Sequence, residues 1–95
     1  MITIVAHMSI AARTRDEILR EAETFVAQTR SEPGCIDFYL HESADDPTKF
    51  VWYENFRDQS AVDSHVGSAH VAGWFRLLDR LGASNAYEVY RRVGS

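Results

Sequence analysis

The chain has 95 residues, a length that allows one domain, residues 1–95, and leaves little room for a second. Its 45% hydrophobic and 12% aromatic content is typical of a globular protein with a packed core. The net charge of −4 provides no basic excess to neutralise phosphates, which argues against nucleic acid as a partner.

The first half of the chain predicts a strand and then a helix. Residues 2–10, ITIVAHMSI, are rich in β-branched and apolar residues and predict a strand. Thr14 and Glu17 form a capping-box pattern, in which each side chain bonds to the backbone of the other. Apolar residues then recur at helical spacing between positions 18 and 29. The segment EPG at residues 32–34 ends this helix because proline disfavours helical geometry in the residue before it.

The second half predicts a hairpin, a second helical region and a last strand. Residues 35–43 and 49–56 read as two strands joined by a short turn. A helical pattern follows and ends at Gly82, and residues 86–93 form the last strand. The order βαββαβ predicts an α+β, ferredoxin-like fold with two helices on one face of a four-stranded antiparallel sheet.

The predicted strands carry apolar or aromatic residues on both faces, although helices are expected to cover only one. In the second strand, for example, Ile36 and Phe38 alternate with Asp37 and Tyr39. A sheet face that meets water should be polar. An exposed face with this much apolar area is an association surface. We therefore expect a homodimer that presses its sheet faces together.

The segment DSHVGSAHV places two histidines five residues apart. On a continuous helix this spacing separates His65 and His70 by about 140°, whereas zinc requires histidines at i and i+4. Gly67 weakens the helix, and Ser68 is a favourable N-cap for a new one. We therefore expect no metal site, a helix that ends near Val66, and His70 capping the next helix or facing outward.

Three titratable side chains are candidates for catalysis. His65 lies at a predicted helix C-terminus, and His7 would share its cavity if the odd-numbered face of the first strand points at the helices. Glu54 alternates with Trp52 and Phe56, and a buried carboxylate must be paired or have a raised pKa. As alternatives, Glu54 could orient an arginine or a backbone group at a sheet edge, and His7 could be a satisfied core histidine.

The sequence also bears on the cellular compartment. Cys35 is the only cysteine, which excludes an intrachain disulfide and favours a reducing environment. Because it directly precedes an apolar strand, we expect it to be a small buried hydrophobic residue. No basic leader with a following apolar segment opens the sequence, and no apolar run approaches the ~20 residues of a membrane span. We therefore expect a cytoplasmic protein with no membrane partner.

The segment EPGCIDFYLHESADDPTKFVWYENFRDQSAVDSHVGSAHV resembles the signature of the antibiotic biosynthesis monooxygenase (ABM) family. The predicted βαββαβ order agrees with that family. Besides the PGC before the second strand, the matching positions are Pro47, Phe50, Glu54, Phe56, Asp58, Ala61, His65, Ser68 and His70.

The resemblance implies a dimeric α/β barrel with a small pocket in each subunit. It also implies a cofactor-independent monooxygenase that oxidises a quinol or a polycyclic phenolic substrate with O2, without metal or flavin. The substrate's electron-rich ring supplies the electrons. In this interpretation His65, His7 and Glu54 handle protons. The aromatic walls that hold the small aromatic substrate would be Phe38, Trp52, Phe56 and Trp74.

Departures from the family pattern leave the substrate and the reaction open. A polyketide-oxidising member carries Asn, Trp and Tyr at positions that here hold Trp52, Phe56 and Val62, so an identical anthrone substrate is not expected. The haem-ligating histidine of haem-degrading relatives is absent, which argues against haem degradation. Two alternatives stay open. One is a non-redox isomerase or cyclase that uses the same His and Glu, and the other is a small-molecule-binding dimer without catalysis.

Overall fold

The structure is a computed structural model that describes residues 1–94. It confirms the predicted order of elements, with the second helical region divided into two helices. The elements are β1 (Ile2–Ser9), a 3-10 turn (Ala12–Thr14), α1 (Arg15–Arg30), β2 (Cys35–Glu42), β3 (Lys49–Phe56), α2 (Gln59–Val66), α3 (Ala69–Arg80) and β4 (Ser84–Arg91).

The four strands form one antiparallel sheet in the order β2-β3-β1-β4, the ferredoxin-like arrangement. In the central pair, Ile4 lies opposite Glu54 and Ala6 lies opposite Trp52. All four of these side chains are buried, so the even-numbered residues of β1 and β3 face the helices. The odd-numbered residues form the other face, which we call the outer face.

The core lies between this sheet and α1 and α3. The two helices contribute buried residues at spacings of three and four, which places them on one stripe of each helix. Phe25 of α1 stacks on Trp74 of α3 with ring centroids 4.8 Å apart, which joins the two helices. The core residues of the two helices are Ile18, Ala22, Phe25, Val71, Trp74 and Leu78. Within residues 1–94, no helix has both the length and the apolar composition that membrane crossing requires.

Only one of the two expected caps forms. The Thr14 hydroxyl donates to the Ala11 carbonyl oxygen at 3.0 Å and does not bond to the amides of α1, so the predicted capping box is wrong. A 3-10 turn gives Thr14 near-helical angles (φ −102°, ψ 0°), whereas an N-cap side chain reaches the helix amides from extended backbone. Ser68 has that extended backbone, and its hydroxyl oxygen accepts from the Val71 amide at 3.3 Å. The predicted start of α3 is therefore confirmed.

The helices leave the outer face of the sheet uncovered. Tyr39, Tyr53 and Tyr90 lie on this face and are between 40% and 48% exposed. His7 of β1 lies beside them and is exposed. The outer face is thus aromatic as well as accessible in the single chain.

Candidate functional site

A pocket with a cavity volume of about 60 Å³ lies between the helix-covered face of the sheet and the helices. Its walls are mostly aromatic and aliphatic, with few polar side chains. Its lining residues are Ile4, Ala6, Phe25, Phe38, Trp52, Glu54, His65, Val66, Val71, Trp74, Phe75, Asn85 and Tyr87. Such an apolar cavity with a small number of converging polar groups is the usual form of a ligand site.

Glu54 provides a carboxyl group inside this apolar wall. Its strand, β3, is an inner strand of the sheet, so Glu54 does not lie at a sheet edge. The residue is 7% exposed. Burial, with a smaller contribution from the negative charge of Glu32, raises the pKa of Glu54 from 4.5 to about 8. At neutral pH this carboxyl group is therefore mostly protonated and able to donate.

His65 faces Glu54 from the end of α2. Its Nε2 lies 3.8 Å from Oε1 of Glu54, and its Nδ1 lies 2.9 Å from Oε2 of Glu32. Burial lowers the pKa of His65 below its ordinary value of 6.5, although the hydrogen bond and the charge of Glu32 oppose this shift. Because the Glu32 carboxylate accepts at Nδ1, the ring proton lies there. The neutral imidazole then presents an unprotonated Nε2 to the pocket.

His70 joins the same network, contrary to the expectation that it caps a helix or faces outward. Its Nε2 lies 2.6 Å from the same Oε2 of Glu32. The expected separation of about 140° assumed a continuous helix. The chain instead breaks at Gly67 and Ser68, and the two imidazole rings lie 6.0 Å apart between centroids. The break that separates two helices therefore also brings the two histidines to one carboxylate.

Glu32, His65 and His70 form the one group of metal-ligand type found among the described residues. Their donor atoms lie within 4.8 Å of one another, and two imidazoles with one carboxylate can hold zinc. The spacing argument against such a group is therefore wrong, because it rested on the continuous helix. Nδ1 of His65 and Nε2 of His70 both lie at hydrogen-bond distance from Oε2 of Glu32, which is the geometry of two donors that converge on one acceptor. A hydrogen-bond network accounts for this arrangement.

His7 does not lie in the pocket. Successive side chains of a strand point to opposite faces, and Ala6 of β1 points to the pocket. His7 therefore points to the outer face, where it lies opposite Val51 and Ala86. The condition under which His7 would share the cavity of His65 is therefore not met, and the structure does not bring the two histidines together.

Three of the four expected aromatic wall residues line the pocket: Phe38, Trp52 and Trp74. Phe56 is fully buried behind His65, with ring centroids 4.8 Å apart, and supports the imidazole without lining the cavity. Sequence reasoning missed Glu32, because a carboxylate in a turn before proline belongs to no periodic pattern. It also missed Asn85, whose contact with the pocket depends on the pairing of β4 with β1.

Comparison with known proteins places the chain among monooxygenase relatives. The family model described as antibiotic biosynthesis monooxygenase matches residues 1–77. YcnE of Bacillus subtilis, named as a candidate monooxygenase, is 31% identical over 78% of this chain and 78% of its own. Rv0793 of Mycobacterium tuberculosis, named in the same way, is 30% identical over 73% of this chain and 67% of its own. An uncharacterised Synechocystis protein, sll1783, is 28% identical, and this chain spans 44% of its length.

Solved structures share the fold over nearly the whole chain. A crystal structure described as an antibiotic biosynthesis monooxygenase has a TM-score of 0.90 and 25% identity, covering 99% of this chain and 100% of its own. The structure of Rv0793 has a TM-score of 0.89 and 25% identity, covering 99% and 96%. A candidate family member from Deinococcus radiodurans has a TM-score of 0.95 at 19% identity, covering 100% and 95%, and shows a shared fold.

Proposed function

Because this chain belongs to the antibiotic biosynthesis monooxygenase family, we propose that it oxidises a quinol or a related phenol with O2, without metal or flavin. The observation that carries the proposal is the pair of His65 and Glu54, which face each other at 3.8 Å inside an apolar pocket. Their pKa values are shifted so that a neutral base and a protonated acid coexist near pH 7. This is the acid–base pair that oxidation of a phenol requires.

The first step is removal of the phenolic proton. Nε2 of His65 accepts it, and the imidazolium that forms is stabilised by the Glu32 carboxylate at Nδ1. Glu32 thus acts as a positioning residue that holds the imidazole in the tautomer a base requires. The apolar walls exclude water and leave the phenolate ring electron-rich.

The ring then supplies all four electrons that O2 accepts. A ring carbon next to the phenolate carbon forms a bond to O2, and His65 returns its proton to the distal oxygen to give a hydroperoxide. His65 then removes the hydrogen on that carbon as a proton. The electrons of the C–H bond form a second carbonyl group, and the O–O bond breaks. The hydroxide that leaves takes a proton from Glu54 and departs as water. A side-chain rotation that closes the 3.8 Å separation to hydrogen-bond distance then lets His65 pass its proton to Glu54, which restores both groups. Quinol and O2 thus give hydroxyquinone and water.

Oxygen uptake by chelator-treated protein tests this function directly. The protein is mixed with a panel of quinols and hydroxylated anthrones, with a blank without protein to subtract autoxidation. We expect uptake above the blank that His65→Ala lowers about 10²-fold or more. Gln28→Ala is the control, because Gln28 is exposed on α1, away from both the pocket and the outer face of the sheet. Uptake equal to the blank across the panel would refute the function, and full activity in His65→Ala would refute the role of His65.

A non-redox isomerase or cyclase is the second candidate, and the same pair favours it. A neutral imidazole opposite a protonated carboxyl group can move a proton between two carbons without O2. Turnover of an enolisable substrate under strict anaerobiosis would support this candidate. Ligand-induced thermal stabilisation without any product would support the third reading, a binding protein without catalysis.

We further propose that the chain is a homodimer that associates through the outer face and works in the cytoplasm. The uncovered face carries the partly exposed rings of Tyr39, Tyr53 and Tyr90 among polar residues, and this aromatic area supports association. The reduced thiol of Cys35 suits a reducing compartment, and burial raises its pKa to about 11, so the thiol is inert.

A further inference from the structure

Two residues that line the pocket each have a buried polar side-chain atom without a hydrogen-bond partner. These atoms are the indole Nε1 of Trp52 and the amide Oδ1 of Asn85. Within residues 1–94 one other side-chain atom shares this condition, the hydroxyl oxygen of Thr29, whose residue does not line the pocket. Trp52 as a whole is only 2% exposed, so solvent does not satisfy its N–H group.

Unpartnered buried polar atoms are rare in proteins because each loses its hydrogen bonds to water without replacement. Two of them on residues that line one small cavity indicate that an occupant of the cavity completes their hydrogen bonds. The other atoms around the cavity are mostly those of apolar and aromatic side chains. The occupant must therefore be apolar over most of its surface and polar at few points.

The two atoms require different hydrogen-bonding partners, one an acceptor and the other a donor. An indole N–H group only donates, and an amide oxygen only accepts. The occupant must therefore offer an acceptor to Trp52 and a donor to Asn85. A phenolic hydroxyl group supplies both, and its ring matches the aromatic faces of Phe25, Phe38 and Trp74.

The volume of the pocket limits the number of rings. A dry cavity of about 150 Å³ lined by aliphatic and aromatic residues is known to hold one benzene molecule. The cavity here measures about 60 Å³, so it encloses part of one ring. The rest of that ring would lie at the mouth, where Phe75 is 43% exposed and Tyr87 is 54% exposed. The second and third rings of a fused three-ring ligand would lie outside these walls.

We infer that the pocket binds a single-ring quinol. One of its hydroxyl groups accepts from Nε1 of Trp52 and donates to Oδ1 of Asn85, and the other is left to give its proton to His65. This inference narrows the substrate class of the proposed function and rests on it only for the reactivity of the ring. Asn85 and Tyr87 both lie on β4, beyond residue 77 where the match to the family model ends. Ligand choice thus depends in part on a strand that the family model does not cover.

Calorimetric titration under nitrogen tests the inference without turnover. The probes are hydroquinone, phenol, benzene and 1,8-dihydroxyanthrone. Trp52→Phe removes the indole N–H and keeps an aromatic wall, and Asn85→Leu removes the amide oxygen at similar volume. We expect each substitution to weaken the binding of hydroquinone and of phenol about 5- to 10-fold, the effect of losing one neutral hydrogen bond. Benzene is the internal control, and its affinity should change less than twofold.

Two results would overturn the inference. One is an unchanged preference for hydroquinone over benzene in both variants, and the other is tighter binding of the three-ring anthrone than of hydroquinone. A measurement on the unaltered protein covers the case in which a variant fails to fold. In ¹⁵N-labelled protein, hydroquinone should shift the indole N–H resonance of Trp52 downfield and benzene should not. Absence of that shift at saturating hydroquinone would also refute the inference.

The same probes separate this inference from the proposed function. Hydroquinone that binds with the expected dependence on Trp52 and Asn85 but gives no oxygen uptake would refute the oxygenase and support the binding site. Oxygen uptake with the three-ring anthrone alone would support the oxygenase and refute the single-ring pocket.

Discussion

At the scale of single residues, burial reverses the ordinary charge state of Glu54 at pH 7 and reinforces the neutral state of His65. A carboxyl group in water is ionised at pH 7, but the apolar pocket raises the pKa of Glu54 to about 8. The same apolar surroundings favour the neutral imidazole of His65, whose pKa falls. In the proposed reaction, the carboxyl group therefore serves as the acid and the imidazole as the base.

The rate of the proposed reaction should depend on pH through both groups. We expect a bell-shaped profile of kcat/KM with an acid limb below pH 6.5, where His65 becomes protonated, and an alkaline limb near pH 8, where Glu54 ionises. Steady-state oxygen uptake between pH 5 and 9.5 measures it. Glu54→Gln should lose the alkaline limb. A limb that persists unchanged in that variant would assign it to another group.

Stability should carry the same signature of Glu54. The pKa of Glu54 is about 8 in the folded chain and 4.5 in the unfolded chain, so between these values the folded state binds the extra proton. Its contribution is present below pH 4.5 and is lost as the pH rises to 8. Relative to Glu54→Gln, the free energy of unfolding should fall by up to about 1.4 kcal/mol per pH unit in this window. Urea denaturation at each pH measures the free energy of unfolding of both proteins. A difference between the two proteins that stays constant from pH 4.5 to 8 would contradict the raised pKa.

At the scale of elements, the break between α2 and α3 determines where the imidazoles point. Asp58 caps α2 through the Ala61 amide at 2.9 Å, and Ser68 caps α3. The Ser68 hydroxyl also donates to the His65 carbonyl oxygen at 2.6 Å, which joins the end of one helix to the start of the next. A residue with no contact to the pocket thus holds the histidine network in place.

Ser68→Ala should therefore destabilise the protein by about 1 kcal/mol through loss of the N-cap. Ser64→Ala is the matched control, because Ser64 is exposed within α2 and should change stability by less than about 0.5 kcal/mol. Urea denaturation of both variants at one pH measures the difference. Equal stabilities would show that the hydroxyl of Ser68 contributes nothing to the junction.

The contact between the start of β2 and α2 requires a glycine at position 34. A Cβ added to Gly34 would lie 2.3 Å from Cβ of Ala61, so Gly34→Ala should cost about 1–3 kcal/mol by overpacking. In the background of Ala61→Gly, most of that cost should disappear, which a double-mutant cycle measures. Gly73→Ala is the control, because a Cβ there meets nothing closer than 3.7 Å and should stabilise α3 by about 0.5–1 kcal/mol. Additive effects of Gly34→Ala and Ala61→Gly would contradict the contact.

At the scale of the whole molecule, the two faces of the sheet differ, because the helices cover only one of them. The even-numbered side chains of the central strands β1 and β3 complete the core and the pocket, and the outer face carries the partly exposed rings of Tyr53 and Tyr90. Edge strand β4 contributes to the pocket through Asn85, yet Tyr87 and Val89 stay about half exposed. A 95-residue chain buries a modest share of its surface, and association through the outer face would add to it.

The proposed homodimer predicts that a charge on the outer face dissociates it. Tyr53→Glu should convert the protein from dimer to monomer in sedimentation-velocity measurements, because it replaces an aromatic contact with a carboxylate that the interface would bury without a partner. Ala27→Glu introduces the same charge on the exposed side of α1 and should leave the sedimentation coefficient unchanged. Identical sedimentation of Tyr53→Glu and the unaltered protein would refute association through this face.

The sequence of neighbouring residues by itself determined the secondary-structure elements of this protein and their order. Periods of two and of three to four in the apolar residues, with breaks at Gly67 and Gly82, are properties of neighbours in sequence, and so β1 to β4 and the helices were predictable. The burial of Glu54 was predictable for the same reason, because it alternates with Trp52 and Phe56.

The tertiary structure alone decided which side chains meet. Glu32 precedes His65 by 33 residues and His70 by 38, and only the packing of a turn against two helices brings them to one carboxylate oxygen. Alternation along β1 places His7 and Ala6 on opposite faces but does not tell which face the helices cover. Only the packing of the helices on the sheet showed that His7 points away from them. Long-range contacts depend on how elements pack in space, and that information lies in no single stretch of the chain.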